Sequence, residues 1–223
     1  MIGVFCYNVP HRKTYDVLCL LKAKGYQEVR VYASPLHYEK IFQPIYEHRP
    51  KVAEYMLEPR AICVNFGYEY TEGKIDDFSI STDEILLVCG AGIIPEKIVK
   101  EHTIINAHPG YIPYCRGLDA YKWAIYEGKP IGVTTHLMGE YIDAGEVIER
   151  RIIPVYFNDT FHSVAQRVYE NEVSMLVEAI EKIDEQHEMI LPENYPVHKR
   201  MPHSYETRLM ERFDKIVKNA PIK

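Results

Sequence analysis

The chain has 223 residues, of which 47% are hydrophobic and 26% are charged. This composition is typical of a globular protein with one main core, and it excludes a chain that is largely disordered. The formal net charge of −6 excludes an overall basic surface of the kind that recruits nucleic acid.

The first part of the chain alternates apolar strands with helices. Strands are predicted over residues 2–6 and 29–33, with a helix over residues 14–24 between them that ends at Gly25. Pro50 is a plausible first residue of a helix over residues 51–57. Residues 61–66 are predicted to form a further helix that ends at Gly67, and a strand follows over residues 68–71.

The second part continues the alternation. A strand is predicted over residues 84–89, where Glu84 is followed by an apolar run without alternation, as in a strand covered on both faces. Further strands are predicted over residues 103–107, 131–137 and 146–155. A helix over residues 119–127 ends at Gly128, and Thr160 can cap a long helix that extends to residue 183. The pattern predicts an α/β fold, with a Rossmann-like, mainly parallel twisted sheet flanked by helices.

The texture changes near the C-terminus. Pro192, Pro196 and Pro202 interrupt the chain, and a last helix is predicted over residues 205–218. We therefore expect one catalytic domain over residues 1–186 and a short C-terminal helical appendage over residues 187–223.

The cysteines and the first residues bear on location. The five cysteines are an odd number without a C-x-x-C pair, which favours reduced thiols in a cytoplasm over disulfides or a zinc site. The apolar run over residues 2–6 is too short for a signal peptide or a membrane span. We expect a cytoplasmic protein with no membrane partner and no nucleic-acid partner.

Polar residues at the end of one predicted strand are suited to chemistry. Asn106 and His108 are two residues apart, so their side chains project to the same side, and Pro109 and Gly110 then stop the strand. Asp143 lies in a glycine-flanked turn, from which it could return to the same sheet edge and hold the imidazole. From these residue types alone, an acid–base or oxyanion site and a merely structural histidine both remain open.

The stretch from about residue 86 to residue 155 resembles the folate-dependent formyltransferase family. The motifs that carry this resemblance are Asn106-Ala-His-Pro-Gly110, Ile112-Pro-Tyr-Cys-Arg-Gly117, Gly132-Val-Thr-Thr-His136 and Asp143-Ala-Gly145. The resemblance implies that Asn106, His108 and Asp143 are catalytic, that the formyl donor is 10-formyltetrahydrofolate, and that no metal is required.

The resemblance also implies roles for neighbouring residues. His136 would support the catalytic residues from behind, although a plain core histidine is the alternative, and Arg116 would hold its loop. Cys115 is assigned no role. The pocket for the pterin ring of the folate would be formed by the backbone around Gly92, Ile93, Ile94, Gly139, Glu140, Tyr141 and Ile142.

Departures from the family patterns bear on the acceptor amine. Few residues follow Gln186, so the C-terminal β-barrel of the methionyl-tRNA enzymes is not expected. Residues 7–13 contain no glycine, whereas the purine-synthesis enzymes have a glycine-rich phosphate loop after the first strand. The chain is then most similar to sugar N-formyltransferases of surface-polysaccharide synthesis, which act on nucleotide-linked amino-deoxy sugars. Candidate substrate-binding residues are His11, Arg12, Lys13 and Tyr111, and a merely solvated basic loop is the alternative.

Other function classes remain open at this point. A formyltransferase of the glycinamide ribonucleotide type is one alternative. A non-catalytic folate- or nucleotide-binding protein and an amide-forming enzyme with another donor are the others. A homodimer is the oligomer considered.

Overall fold

The computed structural model describes residues 1–36, 42–139, 142–191 and 195–222. Its strands are β1 (Ile2–Tyr7), β2 (Val29–Ser34), β3 (Glu69–Glu72), β4 (Ile85–Val88), β5 (Thr103–His108), β6 (Arg116–Gly117), β7 (Gly132–Leu137), β8 (Gly145–Ile152), β9 (Glu188–Ile190) and β10 (Val197–His198). Its α-helices are α1 (Arg12–Ala23), α2 (Pro59–Phe66), α3 (Glu96–Glu101), α4 (Ala120–Glu127), α5 (Phe161–Glu178), α6 (His203–Glu206) and α7 (Leu209–Lys218).

Eight of these strands form one sheet in the order β3-β2-β1-β4-β5-β7-β8-β9. The five strands from β3 to β5 in this order run parallel to one another. The next three, β7, β8 and β9, each pair antiparallel with the strand before them. The predicted α/β fold with a mainly parallel sheet and flanking helices is confirmed, and the antiparallel edge is an addition to it.

The strand order reverses at β1, because β2 and β3 lie on one side of it and β4 and β5 on the other. Such a reversal leaves a crevice at the carboxyl ends of the two central strands, and open α/β sheets bind ligands there. The loops that follow β1 and β4 meet in this region, where the Tyr7 hydroxyl donates a hydrogen bond of 2.8 Å to the Ala91 carbonyl. The fold therefore directs attention to this edge of the sheet.

The helices agree with the predictions except in two places. Residues 51–57 are not helical, so the helix expected after Pro50 is absent, whereas the helix predicted over residues 61–66 is present and begins at Pro59. Among the larger apolar side chains of this segment, Met56 is buried but Val52 and Leu57 are exposed, so the segment gains little of the packing on which short helices depend. The single helix predicted over residues 205–218 is divided into α6 and α7 by a turn at residues 207–208.

Thr160 caps α5 as predicted, accepting a hydrogen bond of 3.0 Å from the Ser163 backbone N–H. Helices α1, α2 and α5 cover one face of the sheet, and the other face packs with Ile94 and Ile98 around α3. A further apolar cluster joins α4 and α5 to the C-terminal residues Met201, Leu209 and Phe213, all of which are buried. The boundary at residue 186 stays a prediction, and across it the C-terminal helices share a core with the sheet domain.

A buried ion pair reinforces this junction. The Lys122 ammonium on α4 lies 2.5 Å from the Glu206 carboxylate on α6, and both side chains are almost fully buried. The second carboxylate oxygen of Glu206 accepts a hydrogen bond of 2.9 Å from the Ile45 backbone N–H. Glu206 therefore ties the segment around Ile45 and the C-terminal helices to α4.

Replacement of Glu206 by Ala should lower the free energy of unfolding by about 3–5 kcal/mol, because it leaves the Lys122 ammonium buried without its partner. Denaturant unfolding of the two proteins measures this difference. The exposed Glu211 on α7 provides the control, and Glu211→Ala should change the free energy by less than about 0.5 kcal/mol. Equal effects of the two substitutions would contradict the assigned role of Glu206.

Candidate active site

Asn106 and His108 end β5, between the parallel strand β4 and the antiparallel strand β7. Because side chains alternate along a strand, the two residues share one face. In the register with β7, Asn106 lies opposite His136, and His108 lies opposite Thr134. The pairing of β7 with β8 shifts register between Thr135 and His136, so His136 lies at an irregularity of the ladder.

Asp143 reaches the same edge from the turn before β8. Its backbone is in the left-handed region with φ 44°, a conformation that costs energy for a residue with a side chain. Its Oδ2 atom lies 3.5 Å from His108 Nδ1 and accepts a hydrogen bond of 2.8 Å from the Gly117 backbone N–H. The expected meeting of Asn106, His108 and Asp143 at the sheet edge is thus observed, while their catalytic roles stay predictions.

Both ring nitrogens of His108 face protein acceptors. Nε2 lies 2.8 Å from the Cys115 carbonyl oxygen and must carry a hydrogen, because a carbonyl only accepts. A proton on Nδ1 would complete an ion pair with Asp143. Gly110 makes this arrangement possible, since a Cβ there would lie 2.6 Å from Nε2 and 2.4 Å from the Cys115 oxygen.

His136 is held in its neutral form. Burial, opposed by Asp143 and reinforced by nearby His108 and Arg116, lowers the pKa of His136 to about 4. Its Nδ1 is 3.2 Å from the Leu137 carbonyl, and its Nε2 is 3.2 Å from Asn106 Nδ2. With the proton on Nδ1, Nε2 accepts a hydrogen bond from the Asn106 amide. His136 thereby orients Asn106, whose second Nδ2 hydrogen remains for a ligand.

Arg116 forms the frame behind Asp143. This buried guanidinium donates through Nε to the Asp143 carbonyl over 2.9 Å and through Nε and Nη2 to the Ile142 carbonyl. It also donates through Nη1 to the Tyr195 carbonyl over 2.9 Å. Burial lowers the pKa of Arg116, whereas the Asp143 carboxylate raises it. Through these contacts Arg116 connects its own loop to the turn at Ile142 and Asp143 and to the backbone of Tyr195.

The residues predicted to bind the folate follow β4 and precede Asp143. Ile93 is 96% exposed and Ile142 is 65% exposed, so each offers an apolar surface to a ligand, whereas Ile94 is buried in the core. A Cβ at Gly92 or Gly139 would meet open space. Glu140 and Tyr141 lie outside the described residues. The folate-binding role of this set stays a prediction.

The basic residues predicted to bind the substrate differ in their surroundings. Lys13 is buried, and its ammonium lies 2.9 Å from the Glu172 carboxylate and 3.4 Å from the Ala107 carbonyl on β5. Arg12 is partly exposed and pairs with Asp16 at 2.7 Å. Arg12 thus faces solvent at the start of α1, whereas Lys13 is directed into the protein.

His11 and Tyr111 are the other two predicted substrate residues. His11 precedes α1, and burial, reinforced by Lys13 and Arg49 and opposed by Glu172, lowers its pKa to about 4. Tyr111 stacks on Tyr114 with ring centroids 6.2 Å apart. No contact here tests their substrate role, which stays a prediction.

The structure adds three contributors that the sequence analysis did not assign: the Cys115 carbonyl, the Gly117 N–H and the Tyr195 carbonyl. All are backbone groups, so residue type carries almost no signal for them. Gly117 offers a clue, because glycine adopts positive φ without a steric penalty, and here φ is 86°.

The described part of the chain shows neither a metal-binding cluster nor a membrane-spanning helix. Among residues 1–36, 42–139, 142–191 and 195–222, no group of three His, Cys, Asp or Glu side chains is arranged to hold a metal ion. Within the same ranges, no helix is both long and apolar enough to cross a membrane. That no metal is required for activity stays a prediction.

The region that contains this site is similar to proteins of known function. Residues 75–180 match the family described as "Formyl transferase". The chain is 32% identical over 120 residues to the methionyl-tRNA formyltransferase of Ehrlichia chaffeensis, covering 52% of this chain and 39% of that protein. It is 30% identical over 112 residues to the chloroplastic phosphoribosylglycinamide formyltransferase of Vigna unguiculata, covering 47% and 36%. The chain spans less than half the length of these two relatives.

The fold is shared with a solved sugar 3N-formyl transferase, WlaRD, whose crystals contain dTDP and 5-N-formyl-THF. The alignment has a TM-score of 0.61 at 15% identity and covers 96% of this chain and 79% of the other. At this identity the likeness shows a common fold. The region that matches the formyl transferase family, residues 75–180, includes Asn106, His108, His136 and Asp143.

The neutral state of His136 predicts a dependence of stability on pH. The ordinary pKa of histidine is about 6.5, above the value of about 4 in the folded protein. The stability that His136 contributes is therefore complete above about pH 6.5 and is lost as the pH falls to about 4, with a total of up to about 3 kcal/mol. Gln in its place keeps an acceptor for Asn106 but does not titrate.

Unfolding measured from pH 7 to pH 4 should show a smaller loss of stability in His136→Gln than in the parent protein. His162→Gln, which changes an exposed histidine on α5, should follow the parent curve. A parent curve and a His136→Gln curve of equal slope would contradict the neutral, buried state of His136.

Proposed function

We propose that the chain is a folate-dependent N-formyltransferase that uses 10-formyltetrahydrofolate as its formyl donor. The observation that carries the proposal is the joint placement of Asn106, His108, His136 and Asp143 at the carboxyl edge of a formyl transferase domain. Members of this family take the formyl group from formyl-tetrahydrofolate. The exposed side chains of Ile93 and Ile142 are apolar surfaces of the kind that a pterin ring would contact.

The reaction joins the acceptor nitrogen to the formyl carbon and breaks the bond from that carbon to the folate nitrogen, which receives the proton that the amine loses. Negative charge develops on the formyl oxygen when the amine adds. The Asn106 amide can donate to this oxygen, because His136 fixes its orientation and uses only one of its two hydrogens. Asn106 is thus assigned to oxyanion stabilisation.

His108 and Asp143 handle the charge and the proton. The Asp143 carboxylate is partly exposed and can accept the amine proton, directly or through water. Because both nitrogens of His108 are directed at protein acceptors, a doubly protonated ring would act through its positive charge beside the carboxylate and the oxyanion. Stabilisation of this kind acts mainly in the transition state, when the charges form.

The proposed acceptor is the amine of a nucleotide-linked amino-deoxy sugar, as in surface-polysaccharide synthesis. Two observations support it: the segment between β1 and α1 contains no glycine, and the chain aligns over almost its whole length with a sugar 3N-formyl transferase. Methionyl-tRNA and glycinamide ribonucleotide are the competing acceptors, because curated relatives carry those activities in their names.

The catalytic assignment predicts a change in kcat with little change in KM. His108→Ala should lower kcat about 100-fold or more, and Asn106→Ala should act similarly, because each removes stabilisation of one developing charge. The double variant should lose less than the product of the two effects. Steady-state kinetics below the melting temperature of each variant provide the measurement.

His108→Gln separates charge from packing in the same assay. Its side-chain amide can still donate to the Cys115 carbonyl but carries no charge, so kcat should remain low. A His108→Ala variant that is folded and keeps more than about a tenth of the parent kcat would overturn the mechanism, since the expected loss is far larger.

The acceptor is tested by turnover with 10-formyltetrahydrofolate and a panel of dTDP- and UDP-linked amino sugars, glycinamide ribonucleotide and methionyl-tRNA. At least one amino-sugar nucleotide should give the highest kcat/KM, and Asp143→Asn should abolish most of that turnover because it cannot accept the proton. Faster turnover of glycinamide ribonucleotide or methionyl-tRNA would refute the proposed acceptor while leaving formyl transfer intact.

A further inference from the structure

Residues 195–201, here called the C-terminal strap, run alongside the loop that holds Asp143. Strand β10 in the strap pairs parallel with β6, so that Val197 lies opposite Arg116 and His198 lies opposite Gly117. The Leu118 N–H donates to the His198 carbonyl over 2.9 Å. The strap therefore pairs by backbone contacts with Arg116 and Gly117, the two loop residues that donate hydrogen bonds to Asp143.

The strap reaches Asp143 by two routes. In the first route, the Tyr195 carbonyl accepts a hydrogen bond from the same Arg116 guanidinium that donates to the Asp143 carbonyl. Through β10, the strap sets the position of Gly117, whose N–H donates to the Asp143 carboxylate over 2.8 Å. One route fixes the backbone of Asp143 and the other fixes its carboxylate.

The contact at Gly117 leaves no space for adjustment. A Cβ on Gly117 would lie 2.2 Å from the His198 oxygen and 2.8 Å from its nitrogen, and φ of Gly117 is +86°. Asp143 itself has a left-handed backbone, which persists only where the surroundings impose it. The strap and Arg116 supply that constraint.

Helix α4 holds the strap in place from the other side. Trp123 donates from Nε1 to the Lys199 carbonyl over 2.9 Å and stacks on His198 with centroids 4.7 Å apart. The Met201 N–H donates to Asp119 Oδ2 over 2.9 Å. These contacts lie away from the catalytic side chains, so they can be changed without altering any group that would touch substrate.

We infer that the C-terminal strap, acting through Arg116 and Gly117, is a positioning element that sets Asp143 for proton transfer. The inference rests on the proposed function for its catalytic meaning, and it assigns Arg116 and Trp123 as positioning residues. A carboxylate misplaced by about 1 Å can cost about 100-fold in rate, which is the scale on which such an element acts.

The first test releases the strap and observes the loop without substrate. Trp123→Phe removes the hydrogen bond to Lys199, and amide hydrogen exchange of Gly117 and Leu118 should become at least tenfold faster than in the parent protein. Tyr126→Phe is the matched control, because Tyr126 contacts Trp123 on the same helix with rings 6.1 Å apart, and its exchange should equal that of the parent. Unchanged exchange in Trp123→Phe would overturn the inference.

The second test is kinetic. Lys at position 116 keeps the charge but cannot bridge the carbonyls of Ile142, Asp143 and Tyr195 with one ammonium. Arg116→Lys should lower kcat about 10- to 100-fold with KM for the donor within about threefold, and Trp123→Phe should lower kcat in the same direction. Arg60→Lys, at an exposed ion pair with Glu72, should leave both constants unchanged.

The outcomes separate the two proposals. Faster exchange at Gly117 with an unchanged kcat in Arg116→Lys and Trp123→Phe would overturn the positioning role. A parent chain that transfers no formyl group to any acceptor would refute the proposed function, whereas the exchange experiment would still decide whether the strap holds Gly117.

Discussion

The hydrogen bond from the Gly117 N–H to the Asp143 carboxylate is the contact on which the arrangement of the site depends. Asp143 lies in a turn, and its left-handed backbone would not persist in a free loop. Gly117 fixes one end of the carboxylate, and His108 and His136 face its oxygens at 3.5 Å and 3.7 Å. Two loops far apart in sequence and two strand residues therefore share one charged group.

Glycine permits two of these approaches by what it lacks. At Gly110 a side chain would occupy the space between His108 and the Cys115 carbonyl, and at Gly117 it would enter the backbone of His198. Both positions lie on the loop between β5 and α4. The close backbone contacts of this loop replace side-chain contacts that would otherwise have to hold the imidazole and the carboxylate.

Buried charges connect the site to the surrounding helices. The Lys13 ammonium reaches the Ala107 carbonyl between Asn106 and His108, and it shares the Glu172 carboxylate with Arg49. Both cations lower the pKa of Glu172, to about 2, against the effect of burial. Because a buried charge without a partner is costly, this network restricts how α1, α5 and the segment around Arg49 can move relative to β5.

The α/β fold and most of its elements could be predicted from the sequence, as could the grouping of Asn106, His108 and Asp143. These follow from local rules: apolar periodicity, helix caps and the alternation of side chains along a strand. The predictions were wrong at residues 51–57, where the fold leaves most of the apolar side chains exposed, and in taking the last helix as continuous. The folded structure was needed to show that Lys13 is buried and that both nitrogens of His108 face protein acceptors. It was also needed to show that the strap pairs with Arg116 and Gly117. These features depend on backbone N–H and C=O groups and on contacts between distant segments. Because backbone groups hardly differ from one residue type to another, the sequence carries little information about where they pair.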